Sequence, residues 1–142
     1  MLEEQPRYNE HRVRVRYAET DQMGVVYHAN YLVWMEVGRV EYCRANGVRY
    51  KDMEDEESTH LAVAEVGIRY QAPARYDDEL IIKSWVSEAH SRMIVFRYEI
   101  RNADTGKALS HGFTKHIFLG KDLKPKKLPQ RYWHVFGLTS GR

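Results

Sequence analysis

The sequence predicts an α+β domain in which a mostly antiparallel sheet is built around one long helix near the N-terminus. Three observations predict it. A strand-like alternation leads into a long apolar helical segment. Four further strand-like segments follow, the last three joined by short connections. The early helix is the only long apolar element, so a sheet that must bury one face has only that helix to bury it against.

Residues 1–10 are polar with one proline and read as a loose arm. From His11 onward, Val13 and Val15 alternate with Arg12, Arg14 and Arg16, the period of a strand with one buried and one basic face. The loop at 19–24 holds Glu19, Thr20, Asp21 and Gly24, all turn-compatible types. A helix follows over 31–45, with Asn30 as candidate N-cap and Asn46-Gly47 as the stop. Leu32, Val33, Trp34, Met35, Val37, Val40 and Tyr42 spread over most of its circumference, so the helix is expected to be enclosed. Gly38 in mid-helix costs about 1 kcal/mol against alanine and points to a close backbone approach.

The crossover after Gly47 carries five acids within residues 52–57 and reads as solvated chain. Strand patterns then run over 61–71, 80–88, 92–101 and 107–119. Their expected inner residues are Ala62, Ala64, Val66, Ile68 and Tyr70; then Leu80, Ile82 and Val86; then Ile94, Phe96, Tyr98 and Ile100; and last Leu109, Phe113, Ile117 and Leu119. Residues 102–106, NADTG, form a hairpin loop. The tail is basic with two prolines, and RYWHVF is read as a short terminal helix or an irregular packed segment. One domain is expected over 1–142, with a core at roughly 10–120 and a C-terminal extension at 121–142.

At 43% hydrophobic and 30% charged residues, with net charge +2, the chain reads as an ordinary soluble protein, and nothing in it calls for nucleic acid. Cys43 is the only cysteine, which excludes an internal disulfide and a multi-cysteine zinc site. Its place in the apolar helix marks it as a buried small hydrophobe. The first residues have no apolar core of a secretory signal, and no apolar run approaches the ~20 residues of a membrane span, so a cytoplasmic protein is expected. The histidines show no HxH or HExxH spacing, so no metal is implied. Neither GxSxG nor a glycine-rich phosphate loop is present, which removes the serine-hydrolase and nucleotide-binding readings.

The segment Asp21-x-x-Gly24-Val25-Val26-Tyr27-His28-x-Asn30-Tyr31, followed by the apolar helix, resembles the active-site segment of hotdog-fold acyl-CoA thioesterases. Within these it is most similar to the 4-hydroxybenzoyl-CoA thioesterase group and its bacterial acyl-CoA thioesterase relatives. The element order fits over roughly residues 10–120. The resemblance implies a hotdog fold, an antiparallel five-stranded sheet wrapped around one long central helix. It also implies hydrolysis of acyl-CoA to a free acid and coenzyme A, with no cofactor. A homodimer or homotetramer that builds its active site between subunits is expected.

Thioester hydrolysis needs an attacking or activating group, a stabiliser for the oxyanion, and a hold on the thiol-bearing carrier. Asp21 is the candidate for the first, either as nucleophile through an anhydride or as general base toward water. Taken alone, the loop favours Asp21 as a turn or capping residue, and the full segment reverses that preference. The resemblance assigns the oxyanion donor to the backbone N–H of His28, and the imidazole itself is a second option. Gly24 lets the chain approach the thioester closely. Tyr17, Tyr27 and Tyr31 are candidate pocket residues, and Asn30 is counted with them as a substrate contact. Coenzyme A phosphates call for basic residues near the pocket mouth: Arg92 first, after the turn-like Ala89-His90-Ser91, then Arg69 and Lys115. Two other readings stand beside hydrolysis. One is a hotdog-type hydratase or dehydratase, which pairs a histidine with a differently placed acid. The other is a non-catalytic acyl-thioester-binding module.

Overall fold

The computed structural model describes residues 7–141. Residues 1–6 of the expected N-terminal arm lie outside the described residues, and 8–10 already belong to the first strand. The elements are β1 (Tyr8–Arg14), α1 (Asn30–Ala45), α2 (Tyr50–Glu57), β2 (His60–Tyr70), β3 (Glu79–Ala89), β4 (Met93–Asn102) and β5 (Ala108–Leu119). Five strands form one sheet in the order β1-β3-β4-β5-β2, every neighbouring pair antiparallel.

α1 lies against one face of this sheet. Tyr31, Trp34, Met35, Gly38, Arg39, Tyr42 and Cys43 are its buried residues, spaced three and four apart as one helical face requires. Gly38 is the contact point: a Cβ there would overlap Ser84 Oγ and come within 2.9 Å of Ile82 Cγ2. The opposite side of the helix is not enclosed within this chain, because Leu32 is 40% and Val33 48% exposed. The expectation of burial all round is therefore corrected for the single chain.

The alternation of β3 and β4 is as expected, with Leu80, Ile82, Val86, Ile94, Phe96, Tyr98 and Ile100 all buried. β5 runs in the opposite phase from the one expected over most of its length. Gly112, Thr114, His116 and Phe118 are buried, whereas Ile117 is 36% exposed. β2 is an edge strand with one ladder only, so Val66 and Tyr70 stay exposed where an inner face was expected. The acidic crossover holds a second helix, α2, whose Met53 is fully buried and whose Tyr50 packs against the core, while its acids lie toward solvent. Beyond residue 120 the tail seals the core: Leu128, Tyr132, Val135, Phe136 and Leu138 join Phe96 and Phe118 in one cluster.

A buried polar chain crosses this core. Arg39 donates to Tyr50 Oη and to Tyr98 Oη, each at 3.2 Å. Tyr98 Oη lies 2.6 Å from Thr114 Oγ1, which lies 2.7 Å from His116 Nε2. An arginine can only donate, so both tyrosine oxygens accept from Arg39; either hydroxyl can donate in the Tyr98–Thr114 pair, and the direction at His116 follows its tautomer. Burial, and then the Arg39 charge, push the His116 imidazole down to about 3, which makes it a neutral ring. Burial pushes the Tyr50 and Tyr98 hydroxyls up and the Cys43 thiol up to about 12, so this thiol is a packed hydrophobe.

Candidate active site

The loop between β1 and α1 folds back as a small ribbon. Tyr17–Glu19 makes one 3₁₀ turn, and Thr20 then pairs with Val26. The Asp21 amide donates to Val25 O at 2.9 Å, and the Gly24 amide to Asp21 O at 3.0 Å. Gly24 closes this turn at φ +78°, a conformation other residues adopt only with strain. The Asp21 carboxylate takes part through one oxygen, Oδ1, which accepts the Met23 amide at 2.8 Å. Its other oxygen has no hydrogen-bond partner among the described residues.

Glu19, which the sequence marked only as a turn residue, anchors this loop to α1. Its carboxylate is buried and accepts the Arg16 amide at 2.7 Å and the Trp34 indole N–H at 3.2 Å. Its carbonyl accepts the Tyr27 amide at 2.8 Å and Asn30 Nδ2 at 2.9 Å. Asn30 is thus not the N-cap: it is the first helical residue and pins the helix start to the loop. The N-cap is Ala29, which has no side chain to cap with. The amides of His28 and Ala29 have no acceptor among the described residues. This helix start presents unpaired N–H groups and the positive end of the helix dipole.

A cleft of about 300 Å³ lies beside it, lined by Val26, His28, Tyr31, Tyr70, Gln71, Ala72 and Pro73. Tyr70 donates its hydroxyl to the His28 carbonyl at 2.9 Å. The buried Tyr31 accepts the Ala74 amide at 3.2 Å, and its ring meets Tyr70 edge-on with centroids 5.1 Å apart. Burial raises both phenol groups above their ordinary range. The cleft can hold an apolar or aromatic group against tyrosine rings, next to unpaired amides suited to a developing oxyanion.

The expected site residues are only partly brought together. His28 and Tyr31 line the cleft, and Tyr27 stacks its ring 4.5 Å from His28. Asp21 and Gly24 lie in the loop tied to the helix start, but they do not line the cleft within this chain. Tyr17 is 77% exposed and packs edge-on against Tyr76 instead. Arg69 adjoins Tyr70 on β2 but belongs to a separate groove on the other face. Lys115 lies on β5 opposite Glu65. Arg92 is farthest away. Tyr70 pairs with Ser110, whereas the Arg92 carbonyl accepts the Phe118 amide. Along a strand that separation is roughly 26 Å, so Arg92 sits at the opposite end of the sheet from the cleft. Tyr70 was missed as a site residue because alternation placed it on the inner face of a strand.

An α+β sandwich of this topology, with an uncapped helix start beside an aromatic cleft, is a hotdog domain. The structure of DHNA-CoA thioesterase from Staphylococcus aureus superposes with a TM-score of 0.84 at 35% identity, covering 89% of this chain and 86% of that one. The 4-hydroxybenzoyl-CoA thioesterase of Pseudomonas sp. strain CBS-3 has the same fold, with a TM-score of 0.82 at 19% identity over 91% of this chain and 99% of that one. In sequence, the acyl-CoA thioesterase YbgC of Haemophilus influenzae is 36% identical over 124 residues, 87% of this chain and 90% of its own length. The family model described as the thioesterase superfamily matches residues 23–109, beginning two residues after Asp21. This chain belongs to the thioesterase superfamily.

Proposed function

We propose that the protein is an acyl-CoA thioesterase in which Asp21 supplies the catalytic carboxylate and the helix start at His28 supplies the oxyanion donor. The observation that carries this is the pairing of unpaired amides at the start of α1 with a carboxylate that keeps one oxygen uncommitted. The acyl group would lie against Tyr31 and Tyr70. Attack on the acyl carbon puts negative charge on the former carbonyl oxygen, where a preorganised N–H does most to lower the barrier. In the general-base route Asp21 takes a proton from water as the water oxygen bonds to the acyl carbon. The C–S bond then breaks, and the thiolate takes up a proton to leave as coenzyme A. In the nucleophilic route an Asp21 oxygen bonds to that carbon and expels the thiolate, and water then cleaves the anhydride. Either way the products are a free acid and coenzyme A, and neither route requires a cofactor.

The same reading includes a homodimer. The two edges of the sheet differ: β1 is seven residues long and presents Glu10, Arg12 and Arg14, whereas β2 is 11 residues long with Val63, Val66 and Tyr70 exposed beside Glu65 and Arg69. A short charged edge resists pairing, and a longer edge with exposed apolar residues invites it. A two-fold antiparallel pairing of β2 with its copy would set the His60 end of one strand beside the Tyr70 end of the other. That brings Arg92 of the partner subunit toward the cleft, which supports its place in coenzyme A binding. A further pairing into a tetramer could cover Leu32, Val33, Val37 and Val40 and so enclose the central helix.

Free-thiol release from a panel of aromatic and aliphatic acyl-CoAs tests the proposal. Steady release from at least one thioester is expected. Hydration of an enoyl-CoA without thiol release would point to a hydratase, and binding without any turnover to a carrier module; either would refute hydrolysis.

A further inference from the structure

The chain that follows β2 wraps the start of α1. The Val26 amide donates to the Ala74 carbonyl at 2.9 Å, the Ala74 amide donates to the Tyr31 hydroxyl at 3.2 Å, and Val25 bridges to Arg75. Tyr70, the last residue of β2, adds a tie of a different kind, because its hydroxyl donates to the His28 carbonyl at 2.9 Å. The ring is aimed there by its neighbours. It meets Tyr31 edge-on at 5.1 Å and His28 edge-on at 6.3 Å, and pairing with Ser110 fixes its place on the ladder. Burial raises the phenol above its ordinary range, so the group stays protonated as a donor.

The fold does not need this bond to satisfy the His28 carbonyl. That oxygen already accepts the Tyr31 amide at 3.3 Å, and His28 is exposed, so water can serve it as well. What the bond does reach is the other end of the same peptide group, the Ala29 N–H. Across a trans peptide the C=O and N–H point in opposite directions in one rigid plane. A donor that grips the oxygen therefore fixes where the N–H points. It also draws electron density toward the oxygen and makes that N–H a stronger donor, the cooperativity of linked hydrogen bonds.

The Ala29 amide is free to use that gain, since it has no acceptor among the described residues. Ala29 is helical, at φ −66° and ψ −22°, so its N–H points out of the start of α1. The Asn30 amide bonds back to the Tyr27 carbonyl at 3.0 Å, so the turn already contains His28. Successive amides in such a turn point the same way, which sets the Ala29 N–H alongside that of His28.

We propose that the Tyr70 hydroxyl is a positioning group for the oxyanion site, holding the His28–Ala29 peptide so that the Ala29 amide joins the His28 amide as a second donor. This rests on the thioesterase reading above. The Tyr70 ring borders the acyl group in that reading, while its hydroxyl acts through the peptide. Full negative charge sits on the former carbonyl oxygen only during reaction, so the hydroxyl serves kcat more than substrate binding.

The test compares the full-length wild type with Tyr70→Phe, which keeps the ring and removes only the hydroxyl. With the best acyl-CoA of the panel, kcat should fall about three- to tenfold, the worth of one hydrogen bond, with KM within about twofold. A tie that serves only the fold would lower the melting temperature and leave kcat alone. A ketone analogue of the acyl-CoA, with CH₂ in place of the sulfur and an isotope-labelled carbonyl, cannot be hydrolysed and reports the donors around its oxygen by Raman spectroscopy. Its carbonyl stretch should move to lower frequency on binding the wild type, and move less on binding Tyr70→Phe. Replacing the Ala29 amide by an ester removes the N–H, and adding Tyr70→Phe to that protein should then cost less than about twofold in kcat, because the route to the oxyanion is gone. An unchanged kcat, a loss carried by KM alone, a carbonyl shift equal in both proteins, or a full Tyr70→Phe loss in the ester protein would overturn the proposal. If the wild type releases no thiol from any acyl-CoA, the thioesterase reading fails and this proposal with it. If the wild type turns over and Tyr70→Phe matches it, only the positioning role fails.

Discussion

The two ends of α1 treat polar groups in opposite ways. At its middle, Arg39 is buried and donates to Tyr50 and Tyr98, and Tyr98 continues through Thr114 to His116. At its N-terminus the amides of His28 and Ala29 have no acceptor among the described residues, and the carboxylate of the preceding loop uses only one oxygen there. His28 is exposed, so water can serve its amide, and a ligand oxygen can take that water's place. We read the closed half as holding the fold and the open half as acting on a ligand. Glu19 joins the two roles: a fully used buried carboxylate two residues from a half-used, half-buried one.

Substitutions in each half can break this division. The largest stability effect is expected from Tyr98→Phe, which removes one of the two acceptors of a buried guanidinium and the hydroxyl partner of Thr114. Chemical denaturation should show a loss of about 2–3 kcal/mol with kcat for thiol release little changed. A kcat that falls more steeply than stability would place the polar chain in the catalytic machinery and end the division.

A smaller effect comes from pH. His116 titrates near 3 when folded and near the ordinary 6.5 when unfolded. Between those values the unfolded chain binds a proton that the folded chain refuses, so stability falls as pH falls from 6.5 toward 3. The limiting slope is about 1.4 kcal/mol per pH unit, giving a loss of about 1–2 kcal/mol between pH 6.5 and 5. Denaturation midpoints over that range should drop more in the wild type than in His116→Gln. Parallel curves for the two proteins would remove His116 from the account.

The smallest effect belongs to His28→Ala. Alanine keeps the amide and loses only the exposed imidazole, so kcat should fall less than about tenfold. A loss as deep as that from changing Asp21 would make the ring, rather than the helix start, the working group.

The sequence showed the helix and the strands where a single apolar phase dominates, as in β3 and β4. It failed where packing runs against hydrophobicity. β5 turns Gly112, Thr114 and His116 toward α1 because the helix needs room and the Arg39 chain needs partners, so its bulkier Phe113 and Ile117 fall on the outer face. α2 was hidden because only Met53 and Tyr50 anchor it, among acids. Around the candidate cleft, His28 and Tyr31 were legible through their motif, while Asp21 lies in the loop before it. Glu19 and Tyr70 were not, since a buried carboxylate reads as a turn residue and an edge-strand tyrosine reads as core. Arg92 illustrates a different limit: spacing cannot say which end of a sheet a turn occupies, and in one chain it lies at the end opposite the cleft.

The most direct measurement is kcat for thiol release by Asp21→Asn, with thermal melting of both proteins. Asparagine can keep the bond from the Met23 amide through its own carbonyl oxygen, so the loop and the melting temperature should be preserved. It cannot serve as base or nucleophile, and a positioned base contributes at least about 10²-fold, so turnover should fall by that factor or more. Near-wild-type turnover in a normally folded variant would contradict the account and leave Asp21 with its turn alone.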